Sequence, residues 1–256
     1  MKILTYLINL DGSQDRLASA TQQLNQQGFE FTRIPAYDGR GKVLSDFQQY
    51  DDEQAQKTMG RSLLGAELGC YLSHVRCVEQ FLKTDADYLV VFEDDLKLAE
   101  GSKEIINEML EHLEYLAENR KLDWYLINLA ANKKKFSKPL MYVREHTLSQ
   151  AYYFPILGLG LIWSRKGATE FLKQHFPIKM PIDNMFQSWL SQNAKGLSIC
   201  APLVVANGVE SEIDSELAAQ GKKRNSQENR NSLYTYYKQK RMLRDKCNAI
   251  INMMRH

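Results

Sequence analysis

The chain has 256 residues, of which 44% are hydrophobic and 25% are charged, and its formal net charge is +2 at neutral pH. This composition is that of a soluble globular protein with one large domain or two small ones, and no apolar run is long enough to cross a bilayer. The four cysteines are too few for a disulfide framework at this length. Polar residues interrupt the apolar N-terminal segment, so we expect a first strand rather than a signal peptide, and a cytoplasmic protein.

The first 36 residues predict a strand, a helix and a second strand. Residues 2–10 are typical of a buried strand, residues 13–28 of a helix that stops at a glycine, and residues 29–36 of another strand. This order favours a sheet that is at least partly parallel. The ligand crevice of such a sheet lies at the carboxyl ends of its strands, so polar residues that follow a strand are candidates for a nucleotide site.

The rest of the chain alternates between helical and strand patterns. Residues 40–62 are polar and lack a sustained period, so we expect a loop with at most one helical turn. Residues 65–83 predict a long helix that leads directly into a strand at 88–93. The later pattern predicts strands at 123–129, 139–145, 150–164 and 198–207, and helices at 102–118, at 165–175 and from Pro181 onward.

The C-terminal segment, residues 221–256, differs in charge from the rest of the chain. It contains ten lysines and arginines against Glu228 and Asp245, a net charge of +8, which leaves −6 for the remainder. Apolar and aromatic residues lie between the basic ones, as in a basic amphipathic helix. We therefore predict a main domain over 1–220 and a basic helical tail over 221–256. The tail suits either an anionic membrane surface or packing on its own domain or a second subunit, which keeps a homodimer open.

Three consecutive carboxylates end the strand predicted at 88–93 and continue beyond it, namely Glu93, Asp94 and Asp95. Adjacent acids at the end of a buried strand repel one another and resist desolvation unless a cation or hydrogen-bond donors offset the cost. Oxygen ligands of this kind suit Mg²⁺ or Mn²⁺, which in many enzymes also coordinate the phosphates of the substrate. The alternative is a solvated acidic turn after the strand.

Several short stretches in order resemble glycosyltransferase family 25, the lipooligosaccharide galactosyl- and glucosyltransferases of Gram-negative bacteria. The resemblance covers roughly residues 3–215 and implies a GT-A-type fold. That fold is a single Rossmann-like α/β domain with a mixed, mostly parallel sheet and helices on both faces, followed here by the helical tail. It also implies a nucleotide-sugar donor and a divalent metal. The stretches that carry it are 7–16, 36–39, 65–74 and 91–96, with 158–160, 164–168 and 181–183 after them.

The resemblance implies donor-binding roles for residues at the ends of the first two strands. Asn9 is positioned to form hydrogen bonds with a nucleobase edge, and Arg16 offers a planar guanidinium group that can bind a diphosphate or uracil. Asp38 and Gly39, after the second strand, are well placed for a ribose hydroxyl. The alternatives are that Asn9 only ends its strand and that Arg16 lies on a solvated helix face.

The acidic triplet corresponds in this resemblance to a DXD-type metal site for Mn²⁺ or Mg²⁺. Asp95 would bind the metal directly, Glu93 would assist from the same face of the strand, and Asp94 would approach the ribose. Related folds add a histidine from a late strand, and in this chain Asn207 occupies the corresponding place. The metal would neutralise the charge that builds on the leaving nucleoside diphosphate.

Asp183, just after Pro181, is the candidate base that takes the proton from the acceptor hydroxyl, for a transfer that the resemblance implies to be inverting. The alternative is that Asp183 only stabilises the start of its own helix.

On the long helix, Cys70, His74 and Cys77 share a side, but three ligands crowded on one helix with no fourth in view do not favour a zinc site, and we interpret them as core residues. Glu67, Cys70 and His74, with Ser73 adjacent, also share a polar helix face beside the acidic strand, and a role in lining the donor pocket is the alternative. His74 itself is predicted to be a core histidine.

The sequence thus predicts a hexosyltransferase that moves galactose from UDP-galactose to a lipopolysaccharide or lipooligosaccharide core acceptor. UDP-glucose is the alternative donor, because no residue contact in the sequence distinguishes the two epimers. The protein would lie on the inner face of the cytoplasmic membrane through residues 221–256. A nucleic-acid-binding module that uses the basic tail is the alternative of a different class, although no nucleic-acid partner is expected.

Overall fold

A computed structural model describes residues 1–120, 122–131, 135–208 and 230–255. The predicted strand, helix and strand at the N-terminus are confirmed. The helices are α1 (Gln14–Gln26), α2 (Asp52–Met59), α3 (Gly65–Leu82), α4 (Ser102–Arg120), α5 (Arg165–Leu172), α6 (Ile182–Asn193) and α7 (Tyr234–Arg255). The strands are β1 (Ile3–Asn9), β2 (Thr32–Pro35), β3 (Tyr88–Glu93), β4 (Leu96–Leu98), β5 (Leu126–Asn128), β6 (Ser137–Val143), β7 (His146–Ala151), β8 (Gly160–Ser164), β9 (Gly196–Cys200) and β10 (Val204–Ala206).

Eight of the described strands form one mixed sheet in the order β2-β1-β3-β8-β5-β9-β7-β6. The pairs β1–β2, β1–β3 and β5–β9 are parallel, whereas β3–β8, β5–β8, β7–β9 and β6–β7 are antiparallel. The expectation of a mostly parallel sheet is therefore wrong. Two of the four antiparallel pairs arise because β8 lies between β3 and β5 and runs opposite to both. The other two arise because β7 runs opposite to β9 and β6.

Helices cover both faces of this sheet, as expected. The strand residues alternate in direction, so Leu89 and Val91 of β3 pack into one core while Val90 and Phe92 pack into the other. The first core is completed by side chains from α2, α3, α5 and α6, and the second by side chains from α1 and α4. The α/β class is confirmed, and the architecture agrees with the GT-A type that the resemblance implies.

The polar segment 40–62 contains more structure than its pattern predicts. The single helical turn corresponds to a short 3-10 helix at Leu44–Asp46, and α2 follows it. Asp51 begins α2 because its side chain accepts a hydrogen bond from the Gln54 N–H at 2.9 Å. Gly60 ends it in the left-handed conformation. Only two residues of α2 are buried, Ala55 and Met59, and so few apolar positions give no visible helical period.

Two predicted strands are each divided in the structure. The strand expected at 150–164 comprises the end of β7 and the whole of β8, with an irregular segment between them. The strand expected at 198–207 comprises β9 of the large sheet and β10, which pairs antiparallel with β4 in a separate two-stranded sheet. Apolar residues continue through both connections, so local composition alone does not reveal the breaks.

The predicted tail helix is present as α7, and it packs on α6 and α2. Ser188 of α6 donates a hydrogen bond to the buried Asp245 carboxylate at 2.7 Å. Arg241 donates to the Thr58 carbonyl oxygen of α2 at 3.1 Å, and the Asn252 side chain donates to a carbonyl oxygen of α6. The predicted domain boundary at residue 220 lies outside the described residues. Among the helices that the structure describes, none is long and apolar enough to span a membrane.

Candidate active site

A cleft opens at the carboxyl ends of the parallel strands β1, β2 and β3, where the topology predicts a ligand site. The N-terminal half of α3 forms one wall, and the turn between β3 and β4 lies opposite. Every candidate donor or metal residue from the sequence contributes to its lining. These residues are Asn9, Arg16, Asp38, Gly39, Glu93, Asp94 and Asp95, and Cys70, Ser73 and His74 of α3 join them.

Asp94 is held by Asn9 and Arg16, so three of the candidate residues bind one another. The Asn9 side-chain amide donates to Asp94 Oδ2 at 2.7 Å, and the Arg16 guanidinium forms an ion pair with Asp94 Oδ1. Arg33, which the sequence did not single out, donates to Asn9 Oδ1 at 2.9 Å and fixes the orientation of the amide. Burial raises the pKa of Asp94, although the Asn9 hydrogen bond and the Arg16 charge oppose that effect.

Asp95 lines the same cleft, but its carboxylate is not fully hydrogen-bonded by the described residues. Within the described part of the chain its buried Oδ1 atom has no hydrogen-bond partner, and the Arg16 guanidinium lies 3.9 Å from its Oδ2 atom. Burial, together with the charge of Glu93, raises the pKa of Asp95 to about 6. An orphaned carboxylate oxygen among other acids fits a bound cation, which would offset the desolvation cost. The residues present therefore fit the divalent metal that the resemblance implies.

Asn207 lies beside Asp95, as the sequence predicts. Its backbone N–H donates to the Asp95 carbonyl oxygen at 2.8 Å, because β10 pairs with β4 directly after the acidic turn. This backbone contact brings the late strand to the edge of the candidate metal site. Residue 207 carries an amide, whereas the resemblance implies a histidine at this place.

Glu93 points to α3, where it meets His74 and Cys70. Its Oε1 atom lies 3.0 Å from His74 Nε2 and accepts a hydrogen bond from the Cys70 thiol at 3.9 Å. Burial by itself would raise the pKa of Glu93, but the hydrogen bond and charge of His74 outweigh it and hold the pKa below its ordinary value. His74 is buried, as predicted for a core histidine, yet it contacts the central carboxylate of the cleft. The sequence offered a place in the donor pocket only as the alternative, and it did not predict this contact.

Asp183 also approaches Glu93 and His74, at the space beside Gly158. It lies in the first turn of α6, which begins after Pro181 as predicted. A Cβ atom placed on Gly158 would lie 2.9 Å from Asp183 Oδ1, 3.0 Å from Glu93 Oε1 and 3.5 Å from His74 Nε2. The two carboxylates and the imidazole therefore converge on a space that exists because residue 158 has no side chain.

Asp38 and Gly39 differ in what they do. The Asp38 carboxylate is held by Arg40, with distances of 2.9 Å and 2.8 Å, and this hydrogen bonding lowers the pKa of Asp38. Gly39 packs backbone to backbone against Gly65 at the start of α3, where a Cβ on either residue would collide with the other's carbonyl oxygen. Gly39 thus sets the width of the cleft, and Asp38 offers the polar group.

Glu67 of α3, part of the polar helix face noted in the sequence, does not line the cleft. It forms a two-point ion pair with Arg61, with both N–O distances at 2.7 Å. This pair and the hydrogen bond from the Leu64 N–H to Glu67 secure the beginning of α3. Its role in the structure is to fix the helix that carries Cys70 and His74.

An α/β protein with a carboxylate-rich cleft at the carboxyl ends of its parallel strands has its cleft where such folds bind nucleotides and other ligands. The family described as "Glycosyltransferase family 25 (LPS biosynthesis protein)" matches residues 2–186 of the sequence. That match includes every candidate site residue and well over half of the chain. The protein belongs to glycosyltransferase family 25.

Two curated relatives illustrate the range of this family. Procollagen galactosyltransferase 1-A of Xenopus laevis is 29% identical over 188 residues, which is 70% of this chain and 29% of the relative. A putative glycosyltransferase of Haemophilus influenzae is 28% identical over 137 residues, 52% of this chain and 43% of the relative. The chain thus spans less than half the length of either relative. A solved glycosyltransferase involved in glycosylation of the PBCV-1 major capsid has a TM-score of 0.40 at 8% identity, covering 86% of this chain and 100% of that one, too low a likeness to support an inference.

Proposed function

We propose that the protein transfers a hexose, with galactose favoured over glucose, from a UDP-sugar to a lipopolysaccharide or lipooligosaccharide core acceptor. Membership of family 25 supports glycosyl transfer, and the procollagen galactosyltransferase relatives support galactose. The family description supports the acceptor class. The observation that carries the proposal is the convergence of Asp183 and Glu93 on the space at Gly158.

The donor nucleotide would lie along the side of the cleft formed by Asn9, Arg16 and Asp38. Arg16 is positioned by Asp94 and supplies a positive charge to a diphosphate, while Asp38 offers carboxylate oxygens to a ribose hydroxyl. Asn9 is oriented by Arg33 and Asp94, so it would present a fixed amide to the base. Asp94, whose two oxygens engage these side chains, would orient the donor-binding residues and contribute to the ribose contact.

Asp95 would bind the divalent cation, Mn²⁺ or Mg²⁺, with Glu93 assisting. The unpartnered Asp95 oxygen supports this assignment. When bound, the metal would supply positive charge to the diphosphate of the donor as it leaves.

Asp183 would act as the base. Its carboxylate takes the proton of the acceptor hydroxyl while the hydroxyl oxygen bonds to the anomeric carbon, and the bond from that carbon to the UDP oxygen breaks. Attack from the side opposite to UDP would invert the anomeric centre. The position of Asp183 across the space at Gly158 from Glu93 supports this role.

The experiment is UDP release from UDP-galactose and from UDP-glucose, with and without Mn²⁺, in the wild type and in Asp95→Asn. Asp123→Asn, which removes a carboxylate paired with Lys166 outside the cleft, is the matched control. We expect metal-dependent release from UDP-galactose that Asp95→Asn abolishes and Asp123→Asn preserves. UDP release from UDP-glucose but not from UDP-galactose would change the assigned donor to UDP-glucose. If neither UDP-sugar is bound or turned over, the proposal is refuted.

The exposed face of α7 would bring the enzyme to the inner surface of the cytoplasmic membrane. Tyr236, Leu243, Ile250 and Met254 recur at helical spacing and are exposed, with Lys240 on the same side. An apolar stripe beside basic residues suits an anionic lipid surface.

Sedimentation with vesicles containing phosphatidylglycerol tests this membrane contact, and the vesicles should pull down the wild type but not Leu243→Glu. Unchanged vesicle binding with conversion of a dimer to a monomer would instead assign this face to a homodimer contact.

A further inference from the structure

A cluster of metal-ligating side chains lies on the α3 wall of the cleft, and the proposed transfer uses only one of its members. Cys70, His74 and Glu93 each direct one ligand atom to a common point, and these atoms all lie within 4.8 Å of one another. The His74 Nε2–Glu93 Oε1 distance is 3.0 Å and the Cys70 Sγ–Glu93 Oε1 distance is 3.9 Å. A thiol, an imidazole and a carboxylate thus surround one small volume.

We propose that Cys70, His74 and Glu93 form a binding site for a borderline transition-metal ion of the Zn²⁺ class, distinct from the Mn²⁺ or Mg²⁺ position assigned to Asp95. The separations match the ligand set of such an ion. With bonds of about 2.0–2.3 Å in a tetrahedral arrangement, ligand atoms stand about 3.4–3.8 Å apart. The atoms of this cluster therefore require only small side-chain rotations to bind.

The elements that carry the three ligands are fixed by contacts that do not involve a metal. Cys70 and His74 are four residues apart on α3 and so lie on one face of the helix. The helix is held against the 37–39 loop by its glycine contacts and by the Ser73 hydroxyl, which accepts a hydrogen bond from the Tyr37 N–H at 2.8 Å. Glu93 ends a central strand of the sheet. A site built on such elements is largely formed before the ion arrives.

The ligand types select the ion. Thiolate and imidazole favour Zn²⁺ and similar ions, whereas Mg²⁺ and Mn²⁺ favour oxygen ligands such as those at Asp95. Asp183 Oδ1 lies across the space at Gly158 and is not part of this group of three, so the fourth position is left to water or another ligand from the cleft. The arrangement is that of an open zinc site with three protein ligands.

Zinc binding itself does not depend on the proposed function, but one consequence rests on it. Glu93 belongs to both metal positions, so an ion held by Cys70 and His74 would withdraw Glu93 from Asp95 and from the space at Gly158. Zn²⁺ would then inhibit transfer in competition with Mn²⁺. A failure of zinc binding would leave the transferase proposal intact, since the two are measured by different signals.

The test is a titration of the metal-free full chain with Co²⁺ alone, followed by absorption spectroscopy, and then displacement by Zn²⁺. A thiolate-to-cobalt charge-transfer band, with the visible bands of a four-coordinate ion, is expected in the wild type. Cys70→Ser should remove the charge-transfer band and weaken Zn²⁺ binding by more than about 100-fold, because even outer-shell changes cost 10- to 100-fold. Zn²⁺ should also raise the melting temperature of the wild type but not that of Cys70→Ser.

Two controls locate the ion. Cys247→Ser removes an exposed thiol on α7 and should leave the band unchanged, as should Asp95→Asn. The absence of a charge-transfer band in the wild type would overturn the proposal, and so would its persistence in Cys70→Ser or its loss in Cys247→Ser. Loss of the band in Asp95→Asn would show that the two metal positions are one, which also overturns the proposal.

Discussion

The two sides of the cleft satisfy their carboxylates in different ways. On the β1 side, Asp94 accepts hydrogen bonds from Asn9 and Arg16, and Arg33 supports Asn9 in turn. On the other side, Asp95 and Glu93 stand close enough to affect each other's charge, and the buried Asp95 Oδ1 atom lacks a donor among the described residues. The first side is organised by the protein itself, whereas the second has a charge excess that a cation or a substrate group would relieve. In the proposed function, the first side would bind the donor and the second would carry the chemistry.

The largest expected effect concerns the chemical side. Asp183→Asn removes the proposed base while keeping the size of the side chain, so kcat should fall by about 100- to 10,000-fold. The Kd for UDP-galactose, measured by calorimetry, should change little because Asp183 lies away from the nucleotide residues. A kcat within a few-fold of the wild type would mean that Asp183 only stabilises the start of α6.

Gly158→Ala tests the space between the carboxylates. The added methyl group would lie 2.9 Å from Asp183 Oδ1 and 3.0 Å from Glu93 Oε1, so one of them must move. The required shift is a few tenths of an ångström at the end of a side chain, so kcat should fall by less than the ~100-fold that a misplacement of about 1 Å can cost. Steady-state kinetics measure this change, and a urea unfolding curve that stays near that of the wild type excludes a folding defect. Full activity in a folded Gly158→Ala protein would exclude this space as the reaction centre.

Asp94→Asn tests the organised side. Asn at this position has one acceptor oxygen for the two donors Asn9 and Arg16, and its NH2 group faces the other donor, so the free energy of unfolding should fall by about 1–3 kcal/mol. The KM for the donor should rise more than kcat falls. Asp11→Asn is the matched control, because Asp11 also pairs with an arginine but its side chain is 80% exposed. That change should cost less than about 0.5 kcal/mol. Equal costs for the two variants would contradict the assigned difference between the sides.

The smallest effect is a pH dependence at Asp95. Its pKa is about 6 in the folded protein against 3.8 ordinarily, so between these pH values the folded state keeps a proton that the unfolded chain releases. Protonation therefore stabilises the fold at low pH, and this contribution is lost as the pH rises through 6. Asp95→Asn should raise the free energy of unfolding at pH 7 by about 1–2 kcal/mol.

Urea unfolding of the metal-free protein at pH 7 and at pH 4 checks this prediction. The gain from Asp95→Asn should shrink toward pH 4, where the wild-type carboxyl group is also protonated in the fold. A gain that is the same at both pH values, or a loss of stability at pH 7, would mean that the Asp95 charge is already balanced by the protein.

The sequence predicts the acidic end of β3 and the Asp183 turn of α6 because both follow from local patterns, an apolar strand before acids and a proline that opens a helix. It also predicts that Asn207 lies near Asp95, through the resemblance to the family. The direction of β8 was not predictable, because an apolar strand reads the same whether its neighbours are parallel or antiparallel. The meeting of His74 with Glu93 was missed because it joins a helix to a strand end 19 residues away, and only the packed sheet brings them together.

The antiparallel direction of β8 has a practical consequence for redesign. A strand that runs against its neighbours begins at the edge where they end, so the segment before β8 arrives at the reaction centre, and the Glu93 N–H is bonded to the Leu159 carbonyl oxygen at 3.1 Å. In this segment Ile156 and Leu157 are exposed while Phe154 is buried. Residues 155–157 can therefore be exchanged next to the proposed reaction centre while both cores stay untouched. Under the proposed function, grafts in this segment are expected to change the acceptor preference.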